Sequence, residues 1–209
     1  MFSGFRTTPM SIEGSMSLAT FSRRMNPSFT ACFNISLYLT QCMLYIDAAN
    51  AGVSGDMFIA GLLDLGADPE KIDLALKPIA GVLGEFEIII KKVRRGVYSS
   101  TYYRFEFVDR QITYDECRDA IQKAALSQPA RGFALSCFET LTDAESKVHG
   151  VDKQSLHLHD AADTISDFVA VSALLDDLSL LDTVVQSSSV NTGMGFFTFH
   201  NQRSTLPAP

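Results

Sequence analysis

The chain has 209 residues, of which 46% are hydrophobic and 20% charged, the make-up of a folded globular protein and not of a disordered one. Its formal charge of −7 argues against a nucleic-acid partner, whose phosphates demand clustered Lys and Arg. The 4 cysteines form no Cys-x-x-Cys pair, which points away from a thiolate zinc site or a disulfide framework and fits reduced thiols in the cytoplasm.

Residues Met1 to Cys42 are rich in Ser, Thr and Phe and hold no helical or strand period. They read as a leader or as translated upstream sequence, with the ordered domain spanning residues 43–209. The most apolar stretch, Thr30 to Ala49, is interrupted by Asn34, Ser36, Thr40, Gln41 and Asp47, so no membrane span is expected.

From Met43 the pattern becomes regular. Leu44, Tyr45 and Ile46 predict a short strand ending at Asp47, followed by the loop Ala48 to Gly55 and a helix from Asp56 that Gly66 stops. A second helix is expected after Pro69. Phe86 to Val93 and Tyr98 to Val108 are rich in β-branched and aromatic residues around Arg95-Gly96, the pattern of a hairpin. Lys91, Lys92, Arg94 and Arg95 then fall on a solvated strand end.

Helices are expected over Thr113 to Leu126, Pro129 to His149 with Gly150 as its left-handed cap, and Asp163 to Leu178. Val184 to Val190 and Phe196 to His200 read as two strands around a Gly193-Met194-Gly195 turn, and Leu206-Pro207-Ala208-Pro209 ends the chain without a closing element. This order predicts an α+β fold, a mixed β-sheet with helices packed on it.

The candidate chemistry is concentrated between Glu145 and Asp167. If His157-Leu158-His159 is extended, its period of two puts both imidazoles on one side. Asp160, Asp163 and Asp167 follow at helical spacing, as do Glu145 and His149 on the preceding helix. Like charges on one stripe repel, and no Lys or Arg occurs between Gln154 and Asp182 to offset them. The counter-charge must come from elsewhere in the fold or from a bound ion, and imidazole with carboxylate suits nickel, zinc, iron or manganese. Against this stand simpler roles: Asp160 or Asp163 as a helix cap, and His149 as a complement to a helix C-terminus.

A second group joins Asp47 at a strand end to Gly52-Val53-Ser54-Gly55-Asp56 at a helix start. Free amides there attract anions, while Asp56 repels them unless a cation bridges. It has neither the Lys of a P-loop nor dinucleotide-binding spacing. Asn191 to Gly195 with His200 reads as a hairpin turn and a strand histidine.

Taken in order, Leu44-Tyr45-Ile46-Asp47, Gly52-Val53-Ser54-Gly55-Asp56-Met57, Ala144-Glu145-Ser146-Lys147-Val148-His149-Gly150, His157-Leu158-His159-Asp160 and Pro207-Ala208-Pro209 resemble the LarC family of nickel-insertion proteins over about Met43 to Pro209. The resemblance implies a chelatase that places nickel in a pyridinium bis-thiocarboxylic acid mononucleotide, giving the nickel-pincer cofactor of lactate racemase. It also implies CTP with manganese or magnesium, used by a C-terminal portion beyond the segment matched here, so that this chain corresponds to an N-terminal half partnered by that portion or by further copies. The metal candidates are therefore His157, His159, Asp160, Asp163, Asp167, Glu145 and His149, and the substrate candidates Asp47, Ser54, Gly55, Asp56 and His200, with no catalytic residue assigned. Asp160 stands where the family usually has Glu, and Asn201 where Gly commonly follows the histidine.

Two other functions remain open on the residues alone. His-x-His also begins metal-dependent hydrolase sites, although Ala161 occupies the position where one such pattern has Asp. A non-catalytic metallochaperone domain would need the same ligands.

Overall fold

The computed structural model describes residues 43–156, 158, 160–199 and 202–206. His157, His159, His200 and residues 1–42 lie outside them.

Helix α6, Ala161–Asp177, is the centre of the fold. Its sequence is apolar on almost every side, with Ile165, Val169, Ala170, Leu174 and Leu175 buried, as befits a helix enclosed by others. Helix α1, Gly55–Asp64, packs on it through Ile59 and Leu62, and α2, Glu70–Leu76, through Ile72, Ala75 and Leu76. A 3₁₀ turn Lys77–Ile79 and the short α3, Ala80–Leu83, lead into the hairpin of β2, Phe86–Arg95, and β3, Tyr98–Phe107. The hairpin turns at Gly96, whose φ of 62° suits a residue without Cβ.

Strand β3 alternates in its inner half, with Thr101, Tyr103 and Phe105 turned inward and Arg104 and Glu106 outward. Its inner face meets α1 and α6. Phe105 stacks between Phe86 and Phe107, with ring centroids 5.0 and 5.6 Å away. The carboxylate of Asp64, at the end of α1, accepts hydrogen bonds from the Thr101 amide, the Thr101 hydroxyl and the Lys92 ammonium, so helix and hairpin are tied at one point. Those bonds hold the Asp64 carboxyl down at about 2.

Helix α4, Tyr114–Lys123, begins with a full capping box between Thr113 and Glu116. Helix α5, Gln128–His149, starts at the Ser127 cap and ends at Gly150 with φ 67°, as its sequence predicts. After it, Lys153 reaches back to Glu139 at 2.7 Å and Asp143 at 2.8 Å, and Glu139 also accepts from the Tyr114 hydroxyl at 2.9 Å. This anchors the segment that leads to α6.

The α+β class holds. Among the described residues the strands form three two-stranded pairs rather than one continuous sheet. Strand β1, Met43–Ile46, pairs in parallel with β4, Val184–Ser187, and β5, Gly195–Phe199, pairs antiparallel with β6, Gln202–Leu206. The expected hairpin around Gly193-Met194-Gly195 is therefore corrected: the segment between β4 and β5 is a connection, not a turn joining paired strands. Strand β6 has no signal in the sequence, because Gln-Arg-Ser-Thr-Leu shows no apolar alternation. No described helix is long and apolar enough to cross a membrane.

Candidate functional site

The loop after β1 is fastened to the segment after β4. The Ala48 amide donates to Ser188 Oγ at 2.8 Å, the Ala48 carbonyl accepts from the Gly52 and Asn191 amides, and Asn191 Nδ2 donates to the Asn50 carbonyl at 2.9 Å. Gly52 has φ 74°, and a Cβ there would stand 2.7 Å from the Asn191 carbonyl oxygen, so only glycine fits. Asn191 thus braces the loop that delivers Ser54, Gly55 and Asp56 to the start of α1. Asp47 stays at the strand end, where its Oδ1 accepts from the Ala49 amide at 3.2 Å.

Against that helix start lies the acidic face of α6. Asp163 and Asp167, one turn apart, point with Asp56 into a polar cleft of about 310 Å³ whose other walls are Ser54, Gly55, Tyr103, Arg104 and Phe105. Gly55 makes this possible. A Cβ on it would fall 1.7 Å from Asp167 Oδ2, so the carboxylate occupies the space a side chain would need. Asp56 Oδ1 accepts from the Met57 amide at 2.8 Å and from the Ser54 hydroxyl, which holds it facing the cleft.

The electrostatics are unfavourable for three anions. Burial first, and then the neighbouring Asp163 and Asp56, push the Asp167 carboxyl up to about 7. Burial, then Asp160 and Asp56, raise Asp163 as well. Arg104 is the one cationic side chain on the described cleft wall, and it is engaged with Glu106 at 3.1 Å and with Tyr102. Among the described residues the Asp163–Asp167 pair has no matching ion pair.

A second cavity, about 490 Å³, opens from the same floor. It shares Ser54, Gly55, Asp163 and Asp167 with the polar cleft, and its remaining wall is largely apolar: Val53, Phe58, Phe133, Cys137, Leu141, Phe168 and Val171. This volume and lining suit a small organic ligand.

The other sequence candidates fall as follows. Asp160 precedes α6 with φ 50° and makes no capping hydrogen bond, so the helix-cap role does not describe it. It still acts electrostatically on Asp163. Glu145 and His149 pair with each other at 3.2 Å on α5. Among the described residues, no group of three or more His, Cys, Asp or Glu side chains could hold a metal ion. The sequence reading missed Asp56 as a partner of Asp163 and Asp167, since residues over 100 positions apart share no local pattern. It also passed over Tyr103, although a Tyr at an inward position of an otherwise apolar strand face is a detectable signal.

The fold and cleft define an α+β domain built around a central helix that presents half-buried acids to a ligand-sized cavity. The family model described as nickel insertion protein matches residues 44–209, and the chain belongs to that family. A pyridinium-3,5-bisthiocarboxylic acid mononucleotide nickel insertion protein of Thermotoga petrophila is 34% identical over 80% of this chain and 44% of its own length. One of the same name from Akkermansia muciniphila is 32% identical over 77% of this chain and 42% of its own. The chain therefore spans under half the length of these relatives. No solved structure matches it.

Proposed function

We propose that this chain is the metal-handling part of an enzyme that inserts nickel into a pyridinium bis-thiocarboxylic acid mononucleotide, acting in the cytoplasm with the C-terminal portion of the family or with further copies of itself. The observation that carries the reading is the half-buried Asp163–Asp167 pair facing Asp56 over Gly55, with no cationic partner among the described residues. Such a pair attracts a divalent ion. With few protein ligands the ion is held loosely, which is what a donor site requires.

Nickel is the cargo. Carboxylate oxygens are hard ligands for a borderline ion, so the softer sulfur arms of a thiocarboxylate substrate can displace them. The ligands must be deprotonated as they bind, so Asp167, whose carboxyl holds its proton up to about pH 7 without an ion, gives that proton to solvent as the ion arrives. His157 and His159, in sequence just ahead of α6, are the nitrogen donors that would complete the ion's shell. CTP with manganese or magnesium, implied by the resemblance, does not fit this cleft: its carboxylates repel a triphosphate, and the helix start is covered by Asp167.

The test is nickel titration by calorimetry on the full chain beside Asp163→Asn, Asp167→Asn, His157→Ala and His159→Ala. Each substitution should weaken binding at least tenfold. Equal affinity across the set would refute the assignment. Hydrolysis of an amide or phosphodiester panel, abolished by chelation, would instead favour a hydrolase.

A further inference from the structure

Tyr103 is 2% exposed, yet its hydroxyl has no hydrogen-bond partner among the described residues, and it lies on the wall of the polar cleft with Asp56, Asp163 and Asp167. Buried hydroxyls are ordinarily satisfied, because leaving one unpaired forfeits the hydrogen bond it had in water. Burial first, and then the four carboxylates that act on it, Asp167, Asp163, Asp73 and Asp56, disfavour the phenolate and keep the group a donor. None of the four accepts from it. The partner the hydroxyl lacks is an acceptor atom brought in from outside.

The surroundings restrict what that atom belongs to. Positive charge is drawn to Asp163 and Asp167, and the adjoining cavity, with Phe58, Phe133, Leu141 and Phe168 on its wall, suits a flat ring. A bare anion is repelled by the same carboxylates. The acceptor must therefore sit on a ligand that also carries a positive part.

Resting on the nickel-insertion reading, we propose that Tyr103 is a substrate-positioning residue, its hydroxyl donating a hydrogen bond to an anionic arm of a cationic aromatic ligand whose ring lies in the apolar cavity. The ring is then held beside Asp163 and Asp167, and the arm faces the metal they carry. Tyr103 sets which arm points at the ion; it supplies no ligand to the ion itself.

The experiment uses the full chain, with nickel chloride and then N-methylpyridinium-3,5-dicarboxylate titrated into the nickel-saturated protein, for wild type and Tyr103→Phe. Loss of the hydroxyl should leave nickel affinity within about twofold and Tm unchanged or higher, while the ring probe binds about tenfold more weakly, the expected worth of one hydrogen bond to a charged group. Equal ring affinity in the two proteins overturns the proposal, as does a ring probe that fails to bind nickel-loaded wild type. A Tm lowered by Tyr103→Phe also overturns it, by showing that the hydroxyl serves the fold. If wild type binds no nickel, the nickel-insertion reading itself fails, a result separate from the others.

Discussion

Gly55→Ala tests the construction of the cleft most directly. The added methyl would stand 1.7 Å from Asp167 Oδ2, 2.2 Å from Cγ and 2.9 Å from Cβ, so the carboxylate must swing out of its place. Overpacking of this kind costs about 1–3 kcal/mol, against which Ala gains at most about 1 kcal/mol of helix propensity. A net loss of about 1–2 kcal/mol lowers Tm by roughly 3–6 °C in a chain of this size. Asp167→Ala removes the two nearest contacts and leaves only the Cβ at 2.9 Å, so the double variant should recover most of the loss. Thermal and urea unfolding of the four proteins measures the coupling, expected at about 1 kcal/mol or more. Coupling below about 0.5 kcal/mol, or Gly55→Ala with wild-type stability and nickel affinity, would show that Asp167 does not lie over the helix start.

Asp167→Asn should make stability less dependent on pH. A carboxyl raised in the folded state binds its proton more tightly there than in the unfolded chain, so the metal-free wild type loses stability as pH rises from about 4 to about 7, and the variant gains on it over that range and keeps the gain above pH 7. Equal urea midpoints at pH 8 would contradict this. Asp64 has the opposite sign: its depressed carboxyl contributes above the ordinary carboxylate range and that contribution is lost as pH falls towards about 2. With its side chain 37% exposed and the ion pair screened, Asp64→Asn should cost about 1 kcal/mol at pH 7 and nearly nothing at pH 2. Lys153→Ala frees both Glu139 and Asp143, so amide hydrogen exchange over residues 153–156 should quicken while that of α6 does not. Asn191→Ala removes the bond to the Asn50 carbonyl, and exchange at the Gly52 amide should rise.

Much of this protein is local and therefore readable without coordinates. The Thr113–Glu116 capping box, Gly150 after a long amphipathic helix, and Arg95-Gly96 between β-rich runs each determine an element by chemistry within a few residues. The spacing of Asp163 and Asp167 likewise places them on one helix face, since a 3.6-residue period leaves no other arrangement. What local pattern could not supply is the partner of that face. Asp56, Gly55 and Tyr103 come from a helix start and a strand about 50 positions apart, and they precede Asp163 and Asp167 by about 60 to 110 positions, so only packing brings them to one cleft. The pairing of β4 with β1 instead of β5 was equally a tertiary matter, because short strands choose partners by where helices leave them. The sequence by itself determined that acids line one stripe of α6; the tertiary structure decided that they are half-buried against a glycine, without a cationic partner among the described residues and opened to a cavity, and that partial burial is what turns a row of carboxylates into a site.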